Sequence, residues 1–341
     1  MENKYAPVMI PTLCRYEHLK RCIESLQMNS WAKYTDLYIG LDYPAKESHI
    51  DGYNKIREYL ESGIEGFSRV IVIKHEKNVG ARENSRILRQ TIFEKFDNYI
   101  YTEDDNEFSS NFLEYMNKCL SLYETDESIL AVTGFRYPFN AEPIKGTVFT
   151  SNVYFAAFGY GTWKKKLLNA QENMTTELFL SKYNDTKFMK YFYKQGANQY
   201  CNFVKGILGY VPGMIVDGKV VPYDLTYGIY MMISGKKMIF PKVSKVRNWG
   251  YDGSGVHCGA LEYDSCKKIT HRNMNFECQE LDTDASIEIV RETELSQYEI
   301  NQLVSSFFEV PNLEILRTKM AYYISRLIGI NKMKKLMGIE K

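Results

Sequence analysis

No run of about eighteen apolar residues occurs in the 341-residue chain, so the sequence predicts no membrane-spanning helix. The opening residues, MENKYAPVMIPTLC, have no charged start followed by an apolar core, and no secretory leader is expected. C-x-x-C pairs are missing as well. The seven cysteines (Cys14, Cys22, Cys119, Cys201, Cys258, Cys266 and Cys278) are odd in number and scattered, which disfavours a disulfide scaffold and suits a reducing compartment. A cytoplasmic protein is expected, and the sequons at Asn173 and Asn184 then carry no weight. His257, Cys258, Cys266, His271 and Cys278 cluster without matching a standard zinc spacing. Neither sign of charge is in excess: 43 Lys and Arg meet 42 Asp and Glu, so no overall field draws in nucleic acid and none is expected as a partner. G-x-x-x-x-G-K-[ST] is absent, and so is G-x-G-x-x-G after the first apolar run, which argues against a P-loop nucleotidase and a dinucleotide oxidoreductase. That run is followed by Thr12, Leu13 and Cys14, neither the acidic motif of an aspartyl-phosphate phosphatase nor the glycine-rich loop of a nucleotide-sugar pyrophosphorylase.

What the chain does have is alternation. Short apolar runs at 7–11 (PVMIP), 37–41 (LYIGL), 70–73 (VIVI) and 99–102 (YIYT) are separated by stretches of helical periodicity. Leu19, Cys22, Ile23 and Leu26 recur on one helical face, and Ile87, Leu88, Ile92 and Phe96 nearly repeat the pattern. The spacing predicts β-α-β-α-β-α-β with parallel strands. After the first strand come Thr12 and Arg15, after the second Asp42, after the third Asn78, Gly80 and Arg82, and after the fourth the triplet Glu103-Asp104-Asp105. In an open parallel sheet these positions share the carboxyl edge, where ligands bind. One carboxylate suffices to start the next helix, where Asn111 and Glu114 can form a capping pair. Three adjacent ones raise one another's pKa unless a cation offsets them, which points to a divalent ion and a phosphate-bearing substrate.

In this order, "PVMIPTLCR", "LYIGLDYP", "NVGAREN" and "YIYTEDDNEFSSNFLEYM" resemble the nucleotide-binding half of GT-A-fold glycosyltransferases. The likeness is to family 2-like enzymes and, around E-D-D, to the N-acetylglucosaminyltransferase I group; it covers about residues 5–135. It implies an α/β fold with a Rossmann-like, mostly parallel mixed sheet flanked by helices, and a metal-dependent, inverting transferase of hexosyl or N-acetylhexosaminyl groups. The donor would be a nucleotide sugar, UDP-sugar favoured. Pro11, Thr12 and Arg15 would border the nucleoside, Asp42 contact the base, and Asn78 and Arg82 lie near the diphosphate. Asp105 would ligate Mn²⁺ or Mg²⁺, with Asp104 toward the ribose or the metal's waters. Read without the resemblance, Arg15 and Arg82 are also solvated helix-start arginines, Asn78 and Gly80 an ordinary turn, and Asp42 a turn opener.

The second half is less legible. "VYFAAFGYGTWKKKLL" (153–168) resembles the family's acceptor segment, where Trp163 would stack on a sugar, although such a Trp is more often core. Asp217 in "VDGK" reads as a turn residue. Asp224 in "VPYDLTYGIYMMISG" stands where inverting relatives carry the catalytic base; a helix N-cap is the alternative. "VRNWGYDGSGVHC" (246–258) reads as a strand and a three-glycine loop delivering His257, a second metal or diphosphate ligand by resemblance or else a structural histidine. A catalytic domain over 1–265, with nucleotide-sugar and acceptor halves meeting near residue 135, precedes an extension over 266–341. From Glu314 onward Arg317, Lys319, Arg326, Lys332, Lys334, Lys335 and Lys341 face only Glu314 and Glu340, beside an apolar stripe of Leu316, Met320, Tyr323, Ile324, Leu327 and Ile328. That pattern predicts either a helix lying in a membrane interface, on an anionic cytoplasmic face, or a helix packed on the catalytic domain. The resemblance implies a glycan or lipid-linked saccharide acceptor in bacterial surface polysaccharide synthesis. A non-catalytic binding relative, a metal-dependent phosphohydrolase and a nucleotidyltransferase are the other readings.

Overall fold

The computed structural model describes residues 5–211, 213–255, 280–284, 287–336 and 338. His257 and the cysteines at 258, 266 and 278 lie outside them. Strands form at the four apolar runs: β1 (Val8–Thr12), β2 (Asp36–Leu41), β3 (Arg69–Lys74) and β4 (Asn98–Tyr101). They pair in parallel in the order β3-β2-β1-β4, joined by α1 (Tyr16–Gln27), α2 (Ile50–Glu61) and α3 (Ala81–Phe93). On α1 the expected stripe of Leu19, Cys22, Ile23 and Leu26 is fully buried. On α3 Leu88 and Ile92 are, while Ile87 and, just past the helix end, Phe96 are only half-buried. The helix instead approaches the sheet through buried Asn84, whose Nδ2 donates to the Gly40 carbonyl at 2.8 Å. A β-carbon on Gly40 would fall 2.2 Å from Asn84 Oδ1, so the glycine of "LYIGL" is what admits this close approach.

Beyond β4 the chain forms β5 (Asn106–Phe108), α4 (Phe112–Leu122), β6 (Ile129–Thr133), β7 (Val148–Ser151) and β8 (Tyr160–Trp163). A helical stretch follows, α5 (Lys164–Asn173), α6 (Thr176–Asn184), α7 (Thr186–Gln195) and α8 (Ala197–Ile207). The hairpin of β9 (Ile215–Val216) and β10 (Lys219–Val220) turns on Asp217 and Gly218, both at positive φ (48° and 74°), the geometry expected of an Asp-Gly hairpin. Then come α9 (Asp224–Ser234), β11 (Lys237–Pro241), β12 (Val246–Asn248), α10 (Gln297–Ser306), α11 (Asn312–Ile328) and α12 (Ile330–Leu336). The main sheet continues β4-β8-β6-β11-β7. β8 runs antiparallel to both β4 and β6, β11 is parallel to β6, and β7 is antiparallel to β11. The result is an eight-stranded, mixed and mostly parallel sheet flanked by helices, with further helices at the carboxyl end, the fold class the sequence predicts.

The late segment docks on the β7 edge. Val148 N donates to the Val290 carbonyl at 3.1 Å and Glu292 N to that of Val148 at 2.7 Å. Buried Asn301 of α10 accepts from Ser151 Oγ at 2.9 Å and donates to Asn152 Oδ1 and Gln195 Oε1. The expected Asn111–Glu114 capping pair does not form: Asn111 accepts from Ser109 Oγ and donates to the Asp284 carbonyl, while Glu114 pairs with Lys118 at 2.6 Å. Among the described residues no helix is long and apolar enough to cross a membrane.

Candidate active site at the carboxyl edge

Because β2, β1 and β4 are parallel neighbours, the loops after them emerge together. Thr12, the last residue of β1, donates its hydroxyl to Asp104 Oδ2 at 2.8 Å. Arg15, just before α1, donates to Asp104 Oδ1 and places Nη1 2.9 Å from Asp105 Oδ2. One guanidinium therefore serves both aspartates. The side chains of Asp104 and Asp105 are 6% and 7% exposed and that of Arg15 19%, so water contributes little to balancing these charges. Burial works against the Arg15 charge, yet Asp104 and then Asp105 outweigh it and hold the guanidinium more firmly protonated. Burial also raises Asp104 above the usual carboxylate range, with Arg15 opposing and Asp105 adding to the rise.

Glu103 behaves differently from its neighbours. Its side chain accepts from the Tyr101 hydroxyl at 3.4 Å, and burial, then Asp105, push it up to about 8. At neutral pH it keeps its proton. The triplet thus sets two aspartates bridged by one arginine beside a glutamate that holds its proton more tightly.

A second layer closes over this cluster from far along the chain. β12 pairs antiparallel with β5, Asn248 opposite Asn106. Asn248 Nδ2 donates to Asp105 Oδ1 at 2.9 Å, and Trp249 N donates to the Asp105 carbonyl at 2.8 Å. Trp249 Nε1 reaches Glu107 Oε2 at 2.8 Å, and its ring lies 4.2 Å beneath the Arg21 guanidinium. His18 Nε2 sits 3.3 Å from the Trp249 carbonyl and 3.2 Å from Asp252 Oδ2, which ties α1 to the same loop. Sequence reasoning picked out this strand and loop for His257; the residues that meet the triplet are Asn248, Trp249 and Gly250. Nothing in the local pattern of "RNWG" announces that contact.

Asp42 and Asn78 come together, but with each other. Asp42 is buried and its carboxylate accepts from Tyr43 N, Val79 N, Gly80 N and Asn78 Nδ2 at 2.8–3.2 Å. Asn78 Nδ2 also donates to the Tyr43 carbonyl at 2.7 Å. Both side chains clamp the β3–α3 loop to the end of β2 and leave Arg82 exposed at the start of α3. Pro11 is half-buried within β1.

Asp224 opens α9 as its first residue, and its Oδ1 accepts from Leu225 N at 2.8 Å. The cap position belongs to Tyr223, whose N–H donates to Thr226 Oγ1 at 2.9 Å, so the N-cap reading of Asp224 is corrected. The exposed Asp224 carboxylate is near enough for its charge to raise Glu103, Tyr137 and Tyr223, in each case after burial. Arg82 acts on Tyr223 in the opposite sense.

Trp163 is a correction. It is 4% exposed at the end of β8, its Nε1 donates to the Leu120 carbonyl at 3.1 Å, and Lys166 Nζ covers its ring at 3.8 Å. Both its polar atom and a ring face are taken inside the core, so it offers nothing for a sugar to stack on.

No family model matches this chain, and no curated protein does. Among solved structures, S. aureus TarS aligns with 49% of this chain and 29% of its own length, at 12% identity and a TM-score of 0.33. A mannosyltransferase, PcManGT from Pyrobaculum calidifontis in complex with GDP-Man and Mn2+, aligns with 99% of this chain and 80% of its own, at 11% identity and a TM-score of 0.39. Likenesses this distant carry no weight for activity; the chain is an α/β protein with an arginine-bridged aspartate pair at the carboxyl edge of its parallel strands.

Proposed function

We propose that the chain is a GT-A-fold glycosyltransferase that moves a hexose or N-acetylhexosamine from a nucleoside-diphosphate sugar, UDP-sugar by preference, to a saccharide or lipid-linked saccharide, with inversion. A role in bacterial surface polysaccharide synthesis belongs to the same reading. The observation that carries it is the convergence of Thr12 and Arg15 with Asp104 and Asp105 on the carboxyl edge, with Asp224 near enough for its charge to act on Glu103. Two carboxylates already directed at a single cation are a hard-oxygen donor set that suits a divalent ion in the guanidinium's place. Asp105, with Asp104 and His257, would hold Mn²⁺ or Mg²⁺, which when bound offsets the charge of the diphosphate. Pro11 and Thr12 would flank the nucleoside beside the loop that Asp42 and Asn78 hold in place. Arg15, once released from the aspartates, and Arg82 would face the diphosphate. Asp224 would take the proton of an acceptor hydroxyl while that oxygen bonds to the anomeric carbon and the bond to the diphosphate breaks on the opposite side. Glu103, neutral at pH 7, adds no repulsion to the donor's negative charge.

The test is to incubate the protein with nucleotide sugars, Mn²⁺ and saccharide acceptors and to identify what is released. Intact nucleoside diphosphate is expected. Phosphate or pyrophosphate would make the chain a phosphohydrolase or nucleotidyltransferase, and donor binding without any release would make it a binding relative.

A further inference from the structure

Helix α11 is packed on one side and apolar on the other. Its buried residues are Thr318, Tyr322 and Ser325: the Tyr322 ring meets Tyr183 and Tyr200, and Ser325 Oγ lies 2.6 Å from the Tyr183 hydroxyl. At about 100° per residue the opposite side carries Leu313, Leu316, Met320, Tyr323, Ile324 and Leu327. They are 57, 55, 54, 49, 39 and 85% exposed. A helix stabilised only by docking on its own domain turns its apolar stripe inward. This one turns two hydroxyl residues and a tyrosine inward and leaves the large side chains in a continuous outward strip, more than the scattered single residues of an ordinary surface. No described residue covers the strip.

The charge around it has one sign. Over α11 and α12 six cations, Arg317, Lys319, Arg326, Lys332, Lys334 and Lys335, accompany one carboxylate, Glu314, which is paired to Lys205 at 2.5 Å. Lys319 Nζ lies 3.5 Å over the Tyr193 ring and so joins α11 to α7, whose Lys187, Lys190 and Lys194 are exposed. We propose that this strip docks the protein on an anionic lipid bilayer, its apolar side chains entering the boundary between headgroups and acyl chains and the flanking cations lying among the headgroups. A second copy of the chain fits less well, since pairing two such strips brings two cationic surfaces together, whereas acidic headgroups oppose that charge. The inference stands apart from the chemistry of the carboxyl edge, and its test reads no activity.

The full chain is floated with vesicles of phosphatidylcholine alone and of phosphatidylcholine with phosphatidylglycerol, at low and high salt. Its Leu316→Ser, Leu327→Ser double variant is run beside it, with circular dichroism and sedimentation equilibrium on both proteins. Binding to the anionic vesicles only, weakened by salt and about tenfold weaker in a normally folded double variant, is the expected result. Three outcomes overturn the proposal: no vesicle binding, binding that the double substitution leaves intact, or a native dimer that the same substitution dissolves.

Discussion

Gly250 stands so close to Asp105 that a β-carbon on it would fall 2.2 Å from Asp105 Oδ2, the oxygen that faces Arg15. The late loop after β12 is therefore moulded on the early carboxylate cluster. Gly250→Ala should push the loop or the carboxylate aside, at a cost of about 1–3 kcal/mol in urea unfolding. It should weaken nucleoside diphosphate binding in calorimetry by a larger factor than a remote substitution of equal stability cost. Unchanged stability and binding would mean the loop yields freely.

Arg15 is the next lever. Arg15→Ala leaves Asp104 and Asp105 buried without their cation and should cost about 3 kcal/mol. Mn²⁺ should then raise the melting temperature of the nucleotide-free variant more than that of the native protein, because the ion no longer competes with a guanidinium. Asp105→Ala should abolish the Mn²⁺ response, whereas Glu103→Gln, replacing a carboxyl group already neutral at pH 7, should leave it nearly intact. An Arg15→Ala protein no more responsive to Mn²⁺ than the native one would remove the ion from this site.

Asp224→Asn separates base from scaffold. The exposed side chain keeps its oxygen for Leu225 N, so the melting temperature should hold within a degree or two, while kcat falls by about 10²-fold or more and donor affinity persists. Near-normal turnover would move the base elsewhere.

Lys166 offers a pH test of the core around Trp163. Its ammonium donates to the Tyr123 and Asp126 carbonyls, and burial lowers its pKa to about 8, against the pull of Glu127 and Asp126. In the unfolded chain lysine stays protonated to about pH 10.5, so between pH 8 and 10.5 the unfolded state holds the extra proton and stability rises with pH. Lys166→Met should remove that part of the slope in denaturant titrations at several pH values, while the native protein keeps it. Parallel curves would place the Lys166 pKa at its ordinary value.

What the sequence by itself determined is the part written in local periodicity. Leu19, Cys22, Ile23 and Leu26 repeat at helical spacing because one helix face is buried, and "LYIGL" is apolar throughout because both faces of β2 are covered. Parallel strands in turn bring the loops holding Thr12, Arg15, Asp42 and the carboxylate triplet to one edge, so the place of the candidate site was legible. Its wiring was not. Arg15 and Asp104 are 89 residues apart in sequence, and Asn248 and Asp105 are 143 apart. Such pairs leave no mark in any short window, since each end alone reads as an ordinary polar loop residue. Only the assembled sheet decided that Arg15 would bridge both aspartates, that Asp42 and Asn78 would be taken up in clamping a loop, and that Trp163 would face inward. Those outcomes depend on which strand ends become neighbours and how much water is left between them, and both are set when distant segments pack.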